Sequence, residues 1–543
     1  MAREVQPNGD QRTDLGRHAT LVAAGILLSR IAGLVRDRIF AHYFGNSDAA
    51  DAFKAAFRIP NFLQNLFGEG VLSASFIPVY AGLLARGERD EADRVAGAIF
   101  SLLSLLVSVL VLMGVLATPL LIHAIAPGFK GAKHELTVSL VRILFPGAGF
   151  LALSAWCLGV LNSHRRFFIS YTAPVVWNLL MIVSLVGFGG SLNQFALANV
   201  VAWGSVAGSV AQVGVQLPLV VRLVRGFRLS LGLSMESVRT VLRNFVPAFL
   251  SRGVVQISAY IDAFLASLLP TGAVAALTYA QTLYTLPVSL FGMAVSAAEL
   301  PVLSSALGQP HEVNAILRDR LNAGLRRIAF FVVPSAMAFF SLGDVIVGAI
   351  YQTGQFTRHD SVYVWTILAG SGVGLLATTL GRLYASAYYA LKDTRSPLRY
   401  AVLRVLLTTV LGYLCALLLP PALGLDPRWG VAGLTASAGF CGWLEFILLR
   451  NGMNRRIDKT GLPAPFISKL WVAAGATAAS SWRVKLMTGV SHPIGLAILS
   501  LGAYGSIYFL VTKAFRLPEA TGLTGLMNRV ADFSGFHRPG RSV

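Results

Sequence analysis

The chain has 543 residues, 55% of them hydrophobic and only 13% charged, with a mean hydropathy of +0.65. A soluble globule of that size needs far more charge to cover its surface, so composition excludes one; recurring apolar runs of about 20 residues or more indicate a polytopic helical membrane protein, and the lack of alternating strand patterns excludes an outer-membrane barrel. The formal charge of +20 would suit nucleic acid, but most Lys and Arg lie in short loops between spans, where they set topology and attract anionic lipid, so no nucleic-acid partner is expected.

Fourteen spans are predicted in chain order, near residues 18–44, 50–84, 95–125, 136–162, 171–190, 194–221, 244–269, 272–306, 328–350, 361–391, 400–420, 429–449, 466–487 and 493–512. Residues 1–17 read as a polar cytoplasmic tail and the segment after them as a retained first span rather than a cleaved signal. The first span carries Ser29-Arg30 and Gly33-Leu34-Val35-Arg36-Asp37-Arg38. Arg30 and Asp37 are seven apart and share a face; Arg36 points elsewhere in a regular helix, and a bend at Gly33 would bring both arginines toward one cavity. Arg38, nearer the end, reads as an interfacial anchor.

The second span is the most informative. Asp51, Lys54, Arg58, Asn61, Asn65 and Glu69 recur at steps of three or four and form one polar stripe, with Phe53, Phe57, Phe62, Leu63, Leu66 and Phe67 around the rest. A polar stripe inside a bilayer has to face protein or water. It is either a ladder internal to the helix, Asp51 to Lys54 and Arg58, or part of a hydrated cationic cavity. Each charge at mid-bilayer costs roughly 3 kcal/mol on insertion scales. Five of the basic residues placed within spans, Arg30, Arg36, Arg38, Lys54 and Arg58, fall in these first two helices. The expected guest is therefore an anion, and arginine suits a diphosphate because its planar fork donates paired hydrogen bonds and keeps its charge.

Further along, Arg142, Arg382 and Arg404 are single charges with no assigned role. The seventh span carries Arg252, Gln256 and Asp262; the eighth carries Thr278, Thr282, Thr285 and Ser289, then Glu299. Such hydroxyl stripes often only bond back to their own helix. Asp262 and Glu299 are either neutral or paired with Arg252. Cys157, Cys415 and Cys441 lie in apolar segments without metal-ligand spacing. There is no Walker A sequence, no His-Glu-x-x-His and no Gly-x-Ser-x-Gly, so no enzymatic activity and no cofactor are expected. Transport without ATP would be coupled to an ion gradient, such as a monovalent cation, to the membrane potential or to product consumption.

The connections alternate in charge. One set, with the two termini, holds thirty basic residues and the opposite set only six, which places both termini in the cytoplasm. The chain also repeats weakly. Phe67-Gly68-Glu69-Gly70 returns 224 residues later as Phe291-Gly292-Met293-Ala294, each followed within about eleven residues by a proline, Pro78 and Pro301, and the loop from Leu161 returns 230 residues later from Leu391. Two parallel six-helix halves follow, an N-lobe over 18–228 and a C-lobe over 229–458, with two further spans over 459–515 and a cytoplasmic tail over 516–543.

Several motifs carry a family resemblance. Ser29-Arg30, Gly33-Leu34, Arg36-Asp37, Phe44-Gly45, Asp51-Ala52-Phe53, Arg58-Ile59-Pro60-Asn61, Phe67-Gly68-Glu69-Gly70, Ala126-Pro127-Gly128-Phe129, Gln256-Ile257 and Gly354 with Phe356 resemble the MurJ (MviN) family. That family consists of bacterial lipid II flippases within the multidrug/oligosaccharidyl-lipid/polysaccharide exporter superfamily. The resemblance implies an all-α membrane fold of about 14 transmembrane helices: two six-helix lobes facing each other in a V, plus two C-terminal helices whose groove holds a polyprenyl tail. It implies cavity roles for Arg30 and Arg36 and an acidic role for Asp51. Two departures stand out. Relatives often carry arginine where this chain has Gln64 and Thr282, and a carboxylate where it has Thr285; Arg58 and Arg252 are the candidate substitutes.

The expected activity is transport of lipid II in the bacterial inner membrane by alternating access. Arg30, Arg36, Lys54, Arg58, Asn61, Asn65 and Arg252 are expected to bind substrate, and Asp37, Asp51, Glu69, Asp262 and Glu299 to gate or couple. Expected partners are lipid II or a related polyprenyl-diphosphate-linked glycan, membrane lipids and the peptidoglycan-synthesis machinery. The rival readings are an exporter of another lipid-linked oligosaccharide, a drug exporter (disfavoured by so much arginine), and a non-transporting scaffold or integral glycosyltransferase of wall synthesis.

Overall fold

The computed structural model describes residues 9–67, 69–227, 229–296, 299, 310–391, 393–490 and 492–520; at 9–23, 60, 63–67, 69–70, 248, 250–259 and 310 it describes backbone only. Regular structure among the described residues is helical, apart from one β-bridge between Thr353 and Phe356. The helices are α1 (Gly9–Phe44), α2 (Asp48–Phe67), α3 (Glu69–Ala85), α4 (Arg89–Leu116), α5 (Thr118–Ile125), α6 (Gly131–Ser163), α7 (Phe167–Phe188), α8 (Gln194–Leu223), α9 (Glu236–Ser267) and α10 (Ala273–Pro287), which runs into a π-helical turn at Val288–Met293. They continue with α11 (Pro310–Ser341), α12 (Gly343–Tyr351), α13 (Arg358–Ala390), α14 (Arg395–Tyr413), α15 (Gly430–Ile457), α16 (Ala464–Met487) and α17 (Pro493–Ala514).

The expected spans fall on this helical framework wherever their residues are described; of the 272–306 span, residues 297, 298 and 300–306 lie outside the described residues. The 50–84 span divides into α2 and α3, the 95–125 span into α4 and α5, and the 328–350 span into the end of α11 and α12. Among the described residues, nine helical segments are long and apolar enough to cross a membrane by length and composition alone. The other five expected spans depart from that standard for chemical reasons. Charges interrupt α1, α2 and α9, α10 has only 15 residues, and Ser480, Ser481 and Arg483 dilute α16.

Local sequence sets the ends of these helices. Asn193 caps α8 through the Ala196 N–H. Thr357 and Asp360 form a reciprocal capping box on α13, each satisfying a donor the first turn leaves open. Gly45, with φ +55°, makes the turn from α1 to α2.

Two compact units emerge. The first is Met1–Ala275 with Thr353–Phe356; the second is Ala276–Gln352 with Thr357–Val543. The lobe boundary expected at 228/229 is not where the units part, because α9 belongs to the first. Its Val238 and Val241 are buried in one core with Leu72, Phe76, Val95, Leu103 and Trp156, and its Phe245 and Phe249 pack against that core. The short segment 353–356 also packs on the first unit. The Gln355 N–H donates to the His42 carbonyl at 2.8 Å and His42 Nδ1 lies 2.8 Å from Thr353 Oγ1. Gly354 has φ +53°, and any Cβ there would collide with that same carbonyl.

In the second unit, α13 and α15 pack through small residues. A Cβ on Gly439 would come within 2.7 Å of the Gly374 backbone, so the two helices touch main chain to main chain, as apolar packing without a hydrophobic drive requires. Pro334 removes an amide hydrogen and so frees the Phe330 carbonyl one turn back; Tyr508 of α17 donates to that carbonyl at 2.8 Å, and Tyr504 donates to the Pro334 carbonyl at 2.8 Å. Lys485 of α16 meets Asp344 of α12 at 2.6 Å.

Candidate functional site

The polar stripe of α2 is not a ladder within its own helix. Each of its three described charges looks to a different neighbour: Asp51 bonds to α6, Lys54 bonds to α1, and Arg58 lies in the electrostatic field of α9. All these contacts lie in the first unit.

Asp51 is 1% exposed. One carboxylate oxygen accepts from the Ala275 N–H at 2.7 Å; the other accepts from the Gly272 N–H at 2.7 Å and from Lys133 Nζ at 2.6 Å. Lys133 also reaches Asp48 at 3.0 Å, and Thr271 Oγ1 donates to Asp48 at 2.9 Å. Asp51 therefore ties the start of α2 and the start of α6 to the turn that leads into α10, whose first N–H groups have no partner within their helix.

Asp37 and Lys54 are each 7% exposed. Asp37 Oδ1 takes Lys54 Nζ at 3.1 Å and Arg36 Nη2 at 3.1 Å. Two cations thus share one carboxylate oxygen. Aromatic faces surround it. Lys54 Nζ lies 4.5 Å from the Phe40 ring centre, and the Arg36 guanidinium lies 5.5 Å and 5.4 Å from the rings of Phe57 and Trp177, which stack on each other at 5.5 Å. These faces stabilise cations through their quadrupoles where water is scarce. Trp177 is fixed by donating to the Ser205 carbonyl at 3.1 Å.

The arginines of α1 do not converge as expected. Helix α1 runs unbroken through Gly33; Arg36 folds onto its neighbour Asp37, whereas Arg30 is exposed beside exposed Leu27 and Ile31. Arg58 is half-buried; its carbonyl accepts from Tyr260 at 3.2 Å, and Asp262 and Tyr260 of α9 act electrostatically on its guanidinium. Asp262 thus faces Arg58. Glu299, in the second unit, meets Arg327 of α11 at 3.4 Å. Asn61 is half-buried. The side chains of Gln64, Asn65, Glu69, Arg252 and Gln256 lie outside the described residues. Thr282 and Thr285 donate to the carbonyls of Thr278 and Gln281, the back-bonded arrangement of an ordinary helix stripe. Arg404 pairs with Glu445 at 3.2 Å, and Arg142 and Arg382 are exposed.

Sequence reasoning missed Lys133, Trp177 and the 353–356 segment as partners of the α1–α2 region. Lys133 was legible only as a loop cation on the sparsely charged side, and Trp177 carries no local signal.

The chain can be compared with known proteins. A family model described as "Lipid II flippase MurJ" matches residues 40–504. A "Probable lipid II flippase MurJ" of Rhizobium tropici is 33% identical over 445 residues, 80% of each chain. A "Lipid II flippase MurJ" of Burkholderia cenocepacia (strain ATCC BAA-245) is 32% identical over 451 residues, 82% of this chain and 84% of the relative. Among solved structures, a lipid II flippase MurJ in an inward closed conformation superposes with a TM-score of 0.74 at 22% identity, covering 91% of this chain and 98% of that one. An inward-facing multidrug-resistance MATE transporter superposes with a TM-score of 0.64 at 17% identity, covering 82% of this chain and all of that one. At those identities the superpositions speak to the fold.

Proposed function

Because this chain belongs to the MurJ family of lipid II flippases, we propose that it carries lipid II, a polyprenyl-diphosphate-linked peptidoglycan precursor, from the cytoplasmic to the outer leaflet of the bacterial inner membrane by alternating access. The observation that carries this reading is the buried Arg36–Asp37–Lys54 cluster, in which two cations of different chemistry converge on one carboxylate oxygen among aromatic rings. A diphosphate competes with Asp37 for the same two cations, so Asp37 holds them in place before substrate arrives and yields them to it. Arg36 offers the planar fork that phosphate oxygens match, and Lys54 a point charge. Exposed Arg30, and Arg58 under the electrostatic influence of Asp262, extend the cationic surface; Asn61 and Asn65 offer amides to sugar hydroxyls, and Arg252 is assigned to the same surface.

Asp51 serves this cycle as an anchor, and Glu69, Asp262 and Glu299 as charges that change partners between states. Both termini face the cytoplasm, as the thirty-to-six loop bias indicates. An inside-negative potential favours anion export by about 2.3 kcal/mol per charge per 100 mV, which supplies a driving force without ATP, alone or with a monovalent ion. The wall-synthesis machinery is the natural consumer of the product.

The test uses purified protein in vesicles with labelled lipid II and leaflet-resolved quenching. Wild type equilibrates the label between leaflets; Arg36→Ala, still inserted, falls to the protein-free rate. Unimpaired flipping by Arg36→Ala would overturn the assignment of the site. A second substrate reading, another polyprenyl-diphosphate-linked oligosaccharide, is favoured by the uncharged, back-bonded Thr282 and Thr285. Identifying the lipid-linked intermediate that accumulates on depletion decides between the two.

A further inference from the structure

We propose that His123 and His134 form a binding site for a divalent transition-metal ion of the zinc, copper or nickel class. His123 stands on α5 and His134 on α6, and their rings lie 5.2 Å apart, edge to face. Nδ1 of His123 is 3.0 Å from the Pro119 carbonyl oxygen. A carbonyl only accepts, so Nδ1 carries the proton and Nε2 carries the free lone pair. A backbone carbonyl on the far nitrogen is also the partner that usually fixes a metal-bound histidine. Nε2 of His134 is buried and makes no hydrogen bond, an arrangement that costs free energy unless something occupies the position.

The geometry admits an ion. Zinc–nitrogen bonds of about 2.0–2.1 Å in a tetrahedral site place two ligand nitrogens about 3.3 Å apart; rings centred 5.2 Å apart reach that separation when their Nε2 edges turn toward each other. Neutral imidazole suits zinc, copper and nickel and is a poor ligand for magnesium or calcium. Exposed His123 gives access, and water completes the coordination sphere. Neither histidine belongs to the cationic cluster, so the proposal stands independently of the transport reading. The ion would tie α5 to α6 one residue from Lys133, the cation that grips Asp51. Metal occupancy would therefore stiffen the anchor at the start of α2.

The experiment uses tag-free, full-length protein in lipid nanodiscs, with Cu²⁺ as the spectroscopic probe and Zn²⁺ as competitor. We expect one displaceable Cu²⁺ per chain whose electron paramagnetic resonance spectrum shows coupling to two imidazole nitrogens. His123→Gln and His134→Gln should each weaken binding by at least the roughly tenfold that even an outer-shell partner is worth, while His134→Cys retains it. Wild-type affinity and stoichiometry in both glutamine variants would overturn the site. Should those variants not insert, protection of His123 and His134 in the wild type from diethylpyrocarbonate by Zn²⁺ carries the decision: protection supports the site and equal labelling refutes it.

Discussion

Replacing Asp51 by alanine isolates what its carboxylate does. In the native protein that group accepts from the amides of Gly272 and Ala275 and from Lys133, and is 1% exposed. Alanine leaves two buried N–H groups without partners, each costing about 1–3 kcal/mol. Lys133 keeps Asp48, but Asp48 is half-exposed, so that remaining pair is worth little beyond about 1 kcal/mol. The local loss is thus about 4 kcal/mol, or about a thousandfold in the opening equilibrium at about 1.4 kcal/mol per decade. Hydrogen–deuterium exchange of peptides covering residues 270–276, in wild type and Asp51→Ala under identical detergent conditions, reads that opening directly. Asp51→Asn should fall between the two, because an amide offers one acceptor oxygen and turns two donors toward groups that also donate. Exchange at Gly272 and Ala275 that quickens by less than about tenfold in Asp51→Ala would refute the anchoring account.

Three further outcomes follow from the same contacts. Asp37→Asn should lower the melting temperature of the purified protein sharply, since removing one partner of a buried ion pair costs about 3–5 kcal/mol; Lys54→Met, which leaves Asp37 paired with Arg36, should cost less, and the double variant should recover part of the loss. Arg36→Lys should insert normally yet fail to restore flipping, because an ammonium lacks the fork and the planar face that meet Phe57, Trp177 and a diphosphate; full activity would mean that charge alone suffices. His164, at the end of α6, is held below its ordinary pKa first by burial and then by Arg89 and Arg166, against the pull of Asp93, and its Nε2 lies 3.0 Å from the Tyr80 hydroxyl. The folded state therefore favours neutral imidazole. That stability is complete above pH of about 6.5 and declines as pH falls below it, through the depressed pKa. Melting temperatures of wild type should fall more steeply between about pH 6.5 and 5 than those of His164→Gln.

The helical framework was legible because twenty-residue apolar runs have one physical use, and because prolines, glycines and loop arginines mark where each run stops. Stripe membership on α2 was legible too, since helical periodicity alone puts Asp51, Lys54 and Arg58 on one face. Which helix each charge meets was not. Asp51 finds Lys133 82 residues away and Lys54 finds Asp37 17 residues away; tertiary packing fixes those distances, and periodicity says nothing of them. The same limit applies to α9. Its sequence places it at the head of a repeat, but its Val238 and Val241 bury themselves in the core of the first unit. The convergence of Arg30 and Arg36 that a bend at Gly33 would allow is not seen: α1 continues as helix through Gly33, Arg36 folds onto Asp37 and Arg30 stays exposed.

The charges inside this protein sort by what answers them. Asp344 with Lys485 and Arg404 with Glu445 are one-to-one pairs between neighbouring helices, and they close the account locally. Asp51 is over-supplied with donors, which suits a fixed anchor and makes a group that must exchange protons or partners expensive to move. At Asp37 the balance runs the other way: a single carboxylate holds two buried cations among aromatic rings. Two buried cations on one carboxylate are costly to separate from it, and the faces of Phe40, Phe57 and Trp177 close around them. On the transport reading proposed above, an anion that draws Arg36 and Lys54 away leaves the Asp37 carboxylate buried without them, so release of that anion is expected to go with a rearrangement that returns both cations to Asp37.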